Sequence, residues 1–246
     1  MSQRLRTEAI RWRGARVWVL WGCMGGLLLL GAAAALGAQG AVEWRLDDFT
    51  RSYPPNEVYG QWSARKFAPL LGNGDDYLFR FVHESATEHY IQLRSGRNNS
   101  FSLGLEAPFR LQEWPVWEWE WRIVRLPRGG DVRVKDRDDQ AGSVCVIVNP
   151  GLTGFESLCY LFENEGPKDA PLTSTKRGDS RYLIVRTAAA DPVRAWLHER
   201  RNVLQDYRRV FGKEPQHDAV FGFQIDSDDT HSGAEVNYRN VVLRKK

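Results

Sequence analysis

A strict alternation of apolar and charged residues organises the middle of the chain. From Trp117 to Ile123, tryptophan or isoleucine occupies every second position, and a charged residue stands between each pair. Successive side chains of a β-strand leave opposite faces, so this period of two predicts a half-buried strand. Its apolar face can remove a large area from water, at about 25 cal/mol per Å². A second layer must cover that face, and we therefore expect a sheet packed on a sheet.

Most other apolar segments also have the pattern and length of strands. Val144–Val148 and Leu158–Phe162 are continuous apolar runs, which are typical of strands covered on both faces. Further strands are predicted at residues 41–49, 75–82, 90–94, 101–105, 182–186, 219–225 and 234–243. The pattern predicts a mainly β fold, a two-layer antiparallel β-sandwich of jelly-roll type.

One segment has a helical period. In Asp191–Phe211 the apolar residues recur at spacings of three and four, as on one face of a helix. Asp191 suits the N-cap, Pro192 the first turn and Gly212 the C-terminal end. We therefore expect one substantial helix here.

The first 40 residues form a hydrophobic leader that precedes a domain of residues 41–246. Residues 17–38 carry no charge over 22 positions and follow a cluster of five arginines. This pattern predicts either a transmembrane anchor or a signal peptide cleaved among the small residues at 35–40. In both cases the domain is exported to the cell envelope, either periplasmic or anchored to the inner membrane.

The leader also explains the positive net charge. The whole chain has a formal charge of +3, but residues 1–40 hold five arginines and one glutamate. The remaining residues therefore carry a net charge of −1, and we expect no nucleic-acid binding.

Cys145 and Cys159 lie at matching positions of two apolar runs. Export would permit a disulfide between them, and the alternative is two small core residues.

Four sequence blocks, taken in order, resemble one protein family. They are Trp119–Ile123 with Leu126–Arg133, then Asp138–Ala141, then Trp196–Phe211, and finally Asp226–Thr230 with Tyr238 beyond. From about Trp44 to Leu243 the chain resembles the bacterial exported proteins of the family named domain of unknown function 3047. The resemblance implies a signal-bearing, mostly β domain like the sandwiches of carbohydrate-binding modules, with no established activity.

Two acidic loops are the candidates for a metal site. Their carboxylates belong to Asp138, Asp139, Asp226, Asp228 and Asp229. Clustered carboxylates in loops supply the oxygen ligands and the charge that calcium requires. We expect the two loops to meet at one end of the sandwich, where calcium or nearby Lys135 or Arg137 would offset the repulsion. The alternative is that these aspartates serve exposed turns.

Two other sets of residues are ligand candidates. Arg201, Asn202 and Asp206 form a polar group in the predicted helix, which either holds a ligand or docks the helix on the sheets. Trp62 stands in a polar, turn-rich context and is a candidate for an exposed platform that stacks on a sugar. The tryptophans of residues 117–121, in contrast, are expected in the core.

Glu118 and Glu120 are the candidates for acid–base catalysis. Glycoside hydrolases use a pair of carboxylates as acid and base. Glu118 and Glu120, however, are two residues apart on one strand, and the alternative is that they form its polar side. No nucleophile elbow, phosphate-binding loop or dinucleotide fingerprint occurs. We therefore expect a non-catalytic β-sandwich that binds a glycan or another envelope polymer. The alternatives are a hydrolase or lyase that acts on polysaccharide, and a structural envelope protein.

Overall fold

Two β-sheets, packed face to face, make up the fold. The computed structural model describes residues 42–66, 77–97, 99–148 and 154–245. The predicted leader and residues 67–76 lie outside them. Within the described ranges, no helix is long and apolar enough to cross a membrane.

One sheet has six strands and the other has seven. The six are β1 (Glu43–Asp47), β3 (Tyr77–His83), β4 (His89–Ser95), β6 (Val116–Arg125), β11 (Leu197–Asn202) and β13 (Ala234–Arg244). They run in the order β11-β6-β13-β4-β3, and β1 pairs with the C-terminal half of β13.

The seven strands of the second sheet are β2 (Trp62–Lys66), β5 (Ser100–Phe109), β7 (Gly142–Val148), β8 (Glu156–Glu163), β9 (Pro171–Thr173), β10 (Ser180–Thr187) and β12 (Ala219–Asp226). Their order is β2-β5-β12-β7-β8-β10-β9, and the pairing is antiparallel except between β8 and β10, which is parallel. The predicted mainly β sandwich is confirmed.

Three tryptophans of β6 form the centre of the core. Trp117, Trp119 and Trp121 have no exposed surface. Each contacts an aromatic ring of the opposite sheet, with centroid distances of 5.4 Å for Trp117–Phe221, 5.4 Å for Trp119–Tyr160 and 5.9 Å for Trp121–Phe162. The alternating pattern therefore identified the buried face correctly.

A second, smaller apolar cluster covers the outer face of the seven-stranded sheet. Because side chains alternate along a strand, Cys145 of β7 and Cys159 of β8 point away from the tryptophan core. They form a disulfide and pack with Val132, Leu161, Tyr182 and Ile184. Val132 belongs to the loop between β6 and β7, which supplies part of this cover. β7 and β8 are thus buried on both faces, as their apolar runs predicted.

The predicted helix is shorter than expected. Helix α1 spans Val203–Phe211, and the residues before it form strand β11 on the edge of the six-stranded sheet. Leu197 pairs with Trp121 and Asn202 with Val116 in this strand. Residues 197–202 belong to the segment whose spacing predicted a helix, but backbone pairing with β6 makes them a strand.

The helix caps correct one prediction and confirm another. Asn202, and not Asp191, is the N-cap, because its Oδ1 accepts a hydrogen bond of 3.0 Å from the Gln205 amide. Asp191 instead accepts hydrogen bonds from the Thr187 amide and from Arg186. Gly212 ends the helix as predicted, with φ of 69° and a hydrogen bond from its amide to the Arg208 carbonyl.

Replacing Trp119 tests how much of the stability depends on the tryptophan core. Trp119→Ala should lower the free energy of unfolding by about 3–5 kcal/mol, the range for deleting a large buried aromatic side chain. Urea titration measures the loss. Trp196→Ala is the matched control, since Trp196 is only half-buried and should cost less. An equal or smaller loss for Trp119→Ala would contradict its central role.

Candidate functional site

A pocket opens where the start of β8 meets the end of helix α1. Its volume is about 350 Å³. The turn before β10 and the segment that follows the helix complete its walls. The side chains that give it chemical character are Phe155, Glu156, Asp179, Tyr207, Lys213, Glu214, Gln216 and His217.

Glu156 is held in the pocket wall by two donors. The Tyr207 hydroxyl donates a short hydrogen bond to its Oε2, and the Lys213 ammonium lies 2.6 Å from its Oε1. Burial acts to raise the pKa of Glu156, but Lys213 and Tyr207 outweigh it and lower that pKa. Burial and the neighbouring Glu156 raise the pKa of Tyr207. The pair is therefore a carboxylate and a neutral phenol.

The other carboxylates of the pocket are also paired with cations. Asp179 forms an ion pair of 3.1 Å with Arg177, and Glu214 one of 2.6 Å with Arg208. The Arg177 guanidinium also lies 4.2 Å from the centroid of the Phe155 ring. The pocket is thus close to charge balance before any ligand enters.

The three ligand candidates from the predicted helix dock the helix on the sheets. Arg201 forms ion pairs with Asp206 at 2.9 Å and with Asp169 at 2.8 Å. The Tyr160 hydroxyl, from the core, donates to Asp206 at 3.0 Å. Asn202 caps the helix, as described above. None of these three residues lines the pocket, but together they place the neighbouring Tyr207 in its wall.

Trp62 is not an exposed platform, and that prediction is wrong. Its side chain is 5% exposed and its ring stacks on Phe223 at 5.9 Å. The indole N–H donates to Asp47 at 2.9 Å. The surrounding turn residues concealed strand β2, which pairs with β5 and directs Trp62 into the core.

Glu118 and Glu120 lie on the outer face of the six-stranded sheet in ion pairs. Glu118 contacts Arg200 at 2.9 Å and Arg244 at 3.0 Å, and Glu120 contacts Arg239 at 2.7 Å. Burial opposes the charge of Glu118, but the two arginines lower its pKa. These contacts indicate that Glu118 and Glu120 form the polar side of an amphipathic strand rather than an acid–base pair for catalysis.

The two acidic loops meet at one end of the sandwich, as predicted. They form an acidic cluster that consists of Asp138, Asp139, Asp226, Asp228 and Asp229. Carboxylate oxygens of Asp139, Asp226 and Asp228 lie within 4.8 Å of one another. β7 and β12 are antiparallel neighbours, so the loop before β7 and the loop after β12 lie at the same end.

Lys176 is the basic residue paired with this acidic cluster. Its ammonium lies 2.5 Å from Asp229 and 3.9 Å from Asp228. Burial opposes its charge, but the neighbouring carboxylates raise the pKa of Lys176. The sequence suggested Lys135 or Arg137 for this role, but Arg137 pairs with Asp131 at 3.8 Å instead. The loop that carries Lys176, between β9 and β10, was not predicted to reach the cluster.

Burial and mutual repulsion act against ionisation of two members of the acidic cluster, Asp138 and Asp226. Burial is the main cause that raises the pKa of Asp138 to about 7. Burial, followed by the charges of Asp228 and Asp139, raises the pKa of Asp226 well above its ordinary value. Asp139 is fixed by hydrogen bonds from the Asp229 and Thr230 amides and the Thr230 hydroxyl.

Most of the pocket was not anticipated from the sequence. Phe155 and Glu156 precede a buried strand, and Lys213 to His217 follow the helix as an ordinary polar segment. Tyr207 lies within the predicted helix, and its spacing indicated only a residue on the apolar face. The usable signal was Gly212, which ends the helix and directs the following segment back toward β8.

A comparison with protein families identifies the chain. The profile of a family described as "Protein of unknown function (DUF3047)" matches residues 61–242. The chain belongs to the DUF3047 family. No protein of curated function matches it.

Solved structures similar to this DUF3047 member include several β-rich domains. A family 11 carbohydrate-binding module of Clostridium thermocellum, in complex with a mixed-linked tetrasaccharide, shares 12% identity at a TM-score of 0.43, covering 82% of this chain and 95% of that one. The xyloglucanase domain of NopAA from Sinorhizobium fredii shares 10% at 0.40, covering 79% and 98%. The K1 adhesin domain of Lys-gingipain from Porphyromonas gingivalis shares 9% at 0.38, covering 83% and 98%. The sandwich itself is established by the chain's own two sheets.

Glu163 is a buried acid outside both sites. Its side chain lies on the outer face of β8, is 1% exposed, and its carboxylate oxygens have no side-chain donor. Burial, with the charges of Asp131 and Asp138, raises its pKa well above the ordinary 4.5. At pH values between the unfolded and the folded pKa, the folded state therefore holds a proton on Glu163 that the unfolded chain releases.

This shift makes stability depend on pH with a definite sign. Below the unfolded pKa, Glu163 is protonated in both states. As pH rises above it, only the unfolded state ionises, and wild-type stability falls by at most about 1.4 kcal/mol per pH unit. Glu163→Gln removes this loss, so the variant's stability relative to wild type should increase as pH rises above the ordinary glutamate pKa of 4.5.

Urea titrations at several pH values measure this difference. Glu165→Gln is the matched control, because Glu165 is exposed and should show no such trend. A constant offset between Glu163→Gln and wild type across the range would mean that Glu163 titrates normally.

Proposed function

We propose that this DUF3047 protein is an exported, non-catalytic β-sandwich that binds a neutral glycan in the pocket between β8 and α1. The observation that carries the proposal is the combination, in one pocket, of a partly exposed aromatic ring, Phe155, with carboxylates that already have cationic partners.

The size and lining of the pocket fit a saccharide. Ligand pockets commonly have volumes of about 300–1,000 Å³, and this one has about 350 Å³. Phe155, which is half-buried, offers aromatic surface to the C–H face of a sugar ring. Tyr207 is 1% exposed and contributes to the wall through its hydroxyl, which holds Glu156. Asp179 and Glu214 accept hydrogen bonds, whereas Lys213 and Gln216 donate them. A ligand with many hydroxyl groups, each both donor and acceptor, suits this mixture.

The charge balance of the pocket favours a neutral ligand. Glu156, Asp179 and Glu214 are paired with Lys213, Arg177 and Arg208 respectively. An anionic sugar or a phosphate would have to draw one of these cations away from its carboxylate. That exchange leaves a carboxylate without its cation, which is unfavourable by a modest amount because these pairs are about half-exposed. A neutral oligosaccharide needs no such exchange.

The protonation state of Glu156 supports binding over hydrolysis. A general acid in glycoside hydrolysis needs a raised pKa so that it carries a proton at neutral pH. Lys213 and Tyr207 do the opposite and lower the pKa of Glu156. A polysaccharide-acting enzyme is therefore the second candidate, and a structural envelope protein with no ligand is the third.

Export to the cell envelope is part of the same proposal. The uncharged stretch at residues 17–38 follows an arginine cluster, the pattern of a secretory signal or an anchor. The Cys145–Cys159 disulfide supports an oxidising compartment, since cytosolic proteins rarely keep such bonds. A glycan ligand is consistent with that location.

Removing the Phe155 ring tests the glycan-binding pocket. We expect the full-length protein to bind neutral rather than anionic oligosaccharides on a glycan array. Phe155→Ala should weaken binding of the strongest hit about tenfold or more, which corresponds to loss of roughly 1.4 kcal/mol of ring contact. Isothermal titration calorimetry with that oligosaccharide measures the change.

Two controls make this test specific. Trp196→Ala removes another half-buried aromatic side chain, on the six-stranded sheet, and should leave affinity unchanged. Product analysis of the bound oligosaccharide should find no cleavage. Equal loss of binding in both variants, or no neutral ligand on the array, would refute the proposed pocket. Cleavage would favour the enzyme instead.

A further inference from the structure

We propose that the acidic cluster binds one calcium ion, with Asp139, Asp226 and Asp228 as its carboxylate ligands. This site is separate from the glycan pocket, and the proposal does not depend on glycan binding.

The geometry of the three carboxylates fits a single ion. Calcium binds oxygen at about 2.3–2.6 Å, so ligand oxygens on opposite sides of the ion lie about 5 Å apart. The oxygens of Asp139, Asp226 and Asp228 lie within 4.8 Å of one another. One cation placed among them can therefore reach all three without a rearrangement of the loops.

Buried acceptors without donors are the second, independent observation. Asp138 is 2% exposed, and its Oδ1 accepts no hydrogen bond. Its other oxygen accepts from the Thr175 hydroxyl at 3.2 Å, next to Lys176. The Asp138 carboxylate thus contacts the same loop that carries Lys176, whose ammonium pairs with Asp228 and Asp229. Gln140, 1% exposed, has a similarly unpartnered Oε1.

Such acceptors are uncommon in folded proteins, because a buried oxygen that loses its hydrogen bonds to water is unfavourable unless something replaces them. Asp228 Oδ1 is also inaccessible to water and accepts no hydrogen bond, and the Lys176 ammonium lies 3.9 Å away from it, beyond hydrogen-bonding distance. A hard cation satisfies carboxylate and amide oxygens directly. The unpartnered oxygens therefore point to a ligand that is positively charged.

Lys176 alone does not neutralise the cluster. Its ammonium is in close contact with Asp229 at 2.5 Å but lies 3.9 Å from Asp228. One ammonium thus faces five carboxylates, and it lies nearest to one that is outside the proposed ligand set. A divalent cation supplies the charge that the remaining aspartates lack.

The chemistry of the ligands favours calcium. The group of three contains only carboxylate oxygens, which suit hard cations rather than zinc or copper. Calcium accepts irregular sets of six to eight oxygens, whereas magnesium requires near-ideal octahedral geometry and keeps several waters. Asp139 is already oriented by three hydrogen bonds from residues 229 and 230, as metal ligands commonly are.

Calcium titration of the full-length protein tests the site. After treatment with chelator, calorimetry should show saturable calcium binding, and the melting temperature should rise with calcium concentration and fall again with chelator. Magnesium at equal concentration should have a smaller effect. Asp228→Asn should weaken calcium binding about tenfold or more, through loss of a ligand charge.

The controls separate loss of the site from loss of the fold. In chelator, Asp228→Asn should melt at or above the wild-type temperature, because it removes one repelling carboxylate. Asp218→Asn changes an exposed aspartate outside the cluster and should keep wild-type calcium affinity. Absence of calcium binding, or full affinity in Asp228→Asn, would overturn the proposal. The glycan titration repeated in chelator shows whether the pocket binds its glycan without calcium. Failure of one proposal can then be distinguished from failure of the other.

Discussion

The structure depends on the contact between the tryptophan face of β6 and the aromatic rings of the opposite sheet. Trp119 and Tyr160 meet near the centre of this contact, with Trp117 and Trp121 on either side. Because side chains alternate strictly along a strand, fixing which residues of β8 face inward also fixes which face outward. The disulfide, the outer apolar cluster and Glu163 all lie outward for this reason. A slip of one residue would exchange the two faces.

The same contact positions the pocket through a short series of side chains. Tyr160 packs on Trp119 with its ring and donates its hydroxyl to Asp206 of the helix. Asp206 also holds Arg201, so the helix is fixed to strand and core together. The next residue, Tyr207, therefore reaches Glu156 at the start of β8. Residues that the sequence offered as ligand contacts act instead as the support of the pocket.

The sequence predicted the features that depend on local pattern and missed those that depend on pairing between distant segments. Alternation and apolar runs located most strands and the tryptophan core, and matching parity brought Cys145 and Cys159 together. The helix start was wrong because residues 197–202 gain more from pairing with β6 than from extending a helix. The prediction that Trp62 is exposed was wrong because turn residues surround the short strand that carries it. The pocket combines segments that only the sheet order brings together.

The pocket and the acidic cluster differ in what each lacks. Each carboxylate of the pocket named above has a cation within hydrogen-bonding distance, so the pocket is electrostatically complete and a neutral ligand can enter and leave without disturbing it. The acidic cluster is incomplete, since buried oxygens of Asp138 and Asp228 accept no hydrogen bond. Burying charge without a partner is strongly unfavourable, so such a cluster persists in a fold only where protons or a cation complete it. The first arrangement suits reversible recognition, and the second suits a cation that is part of the fold.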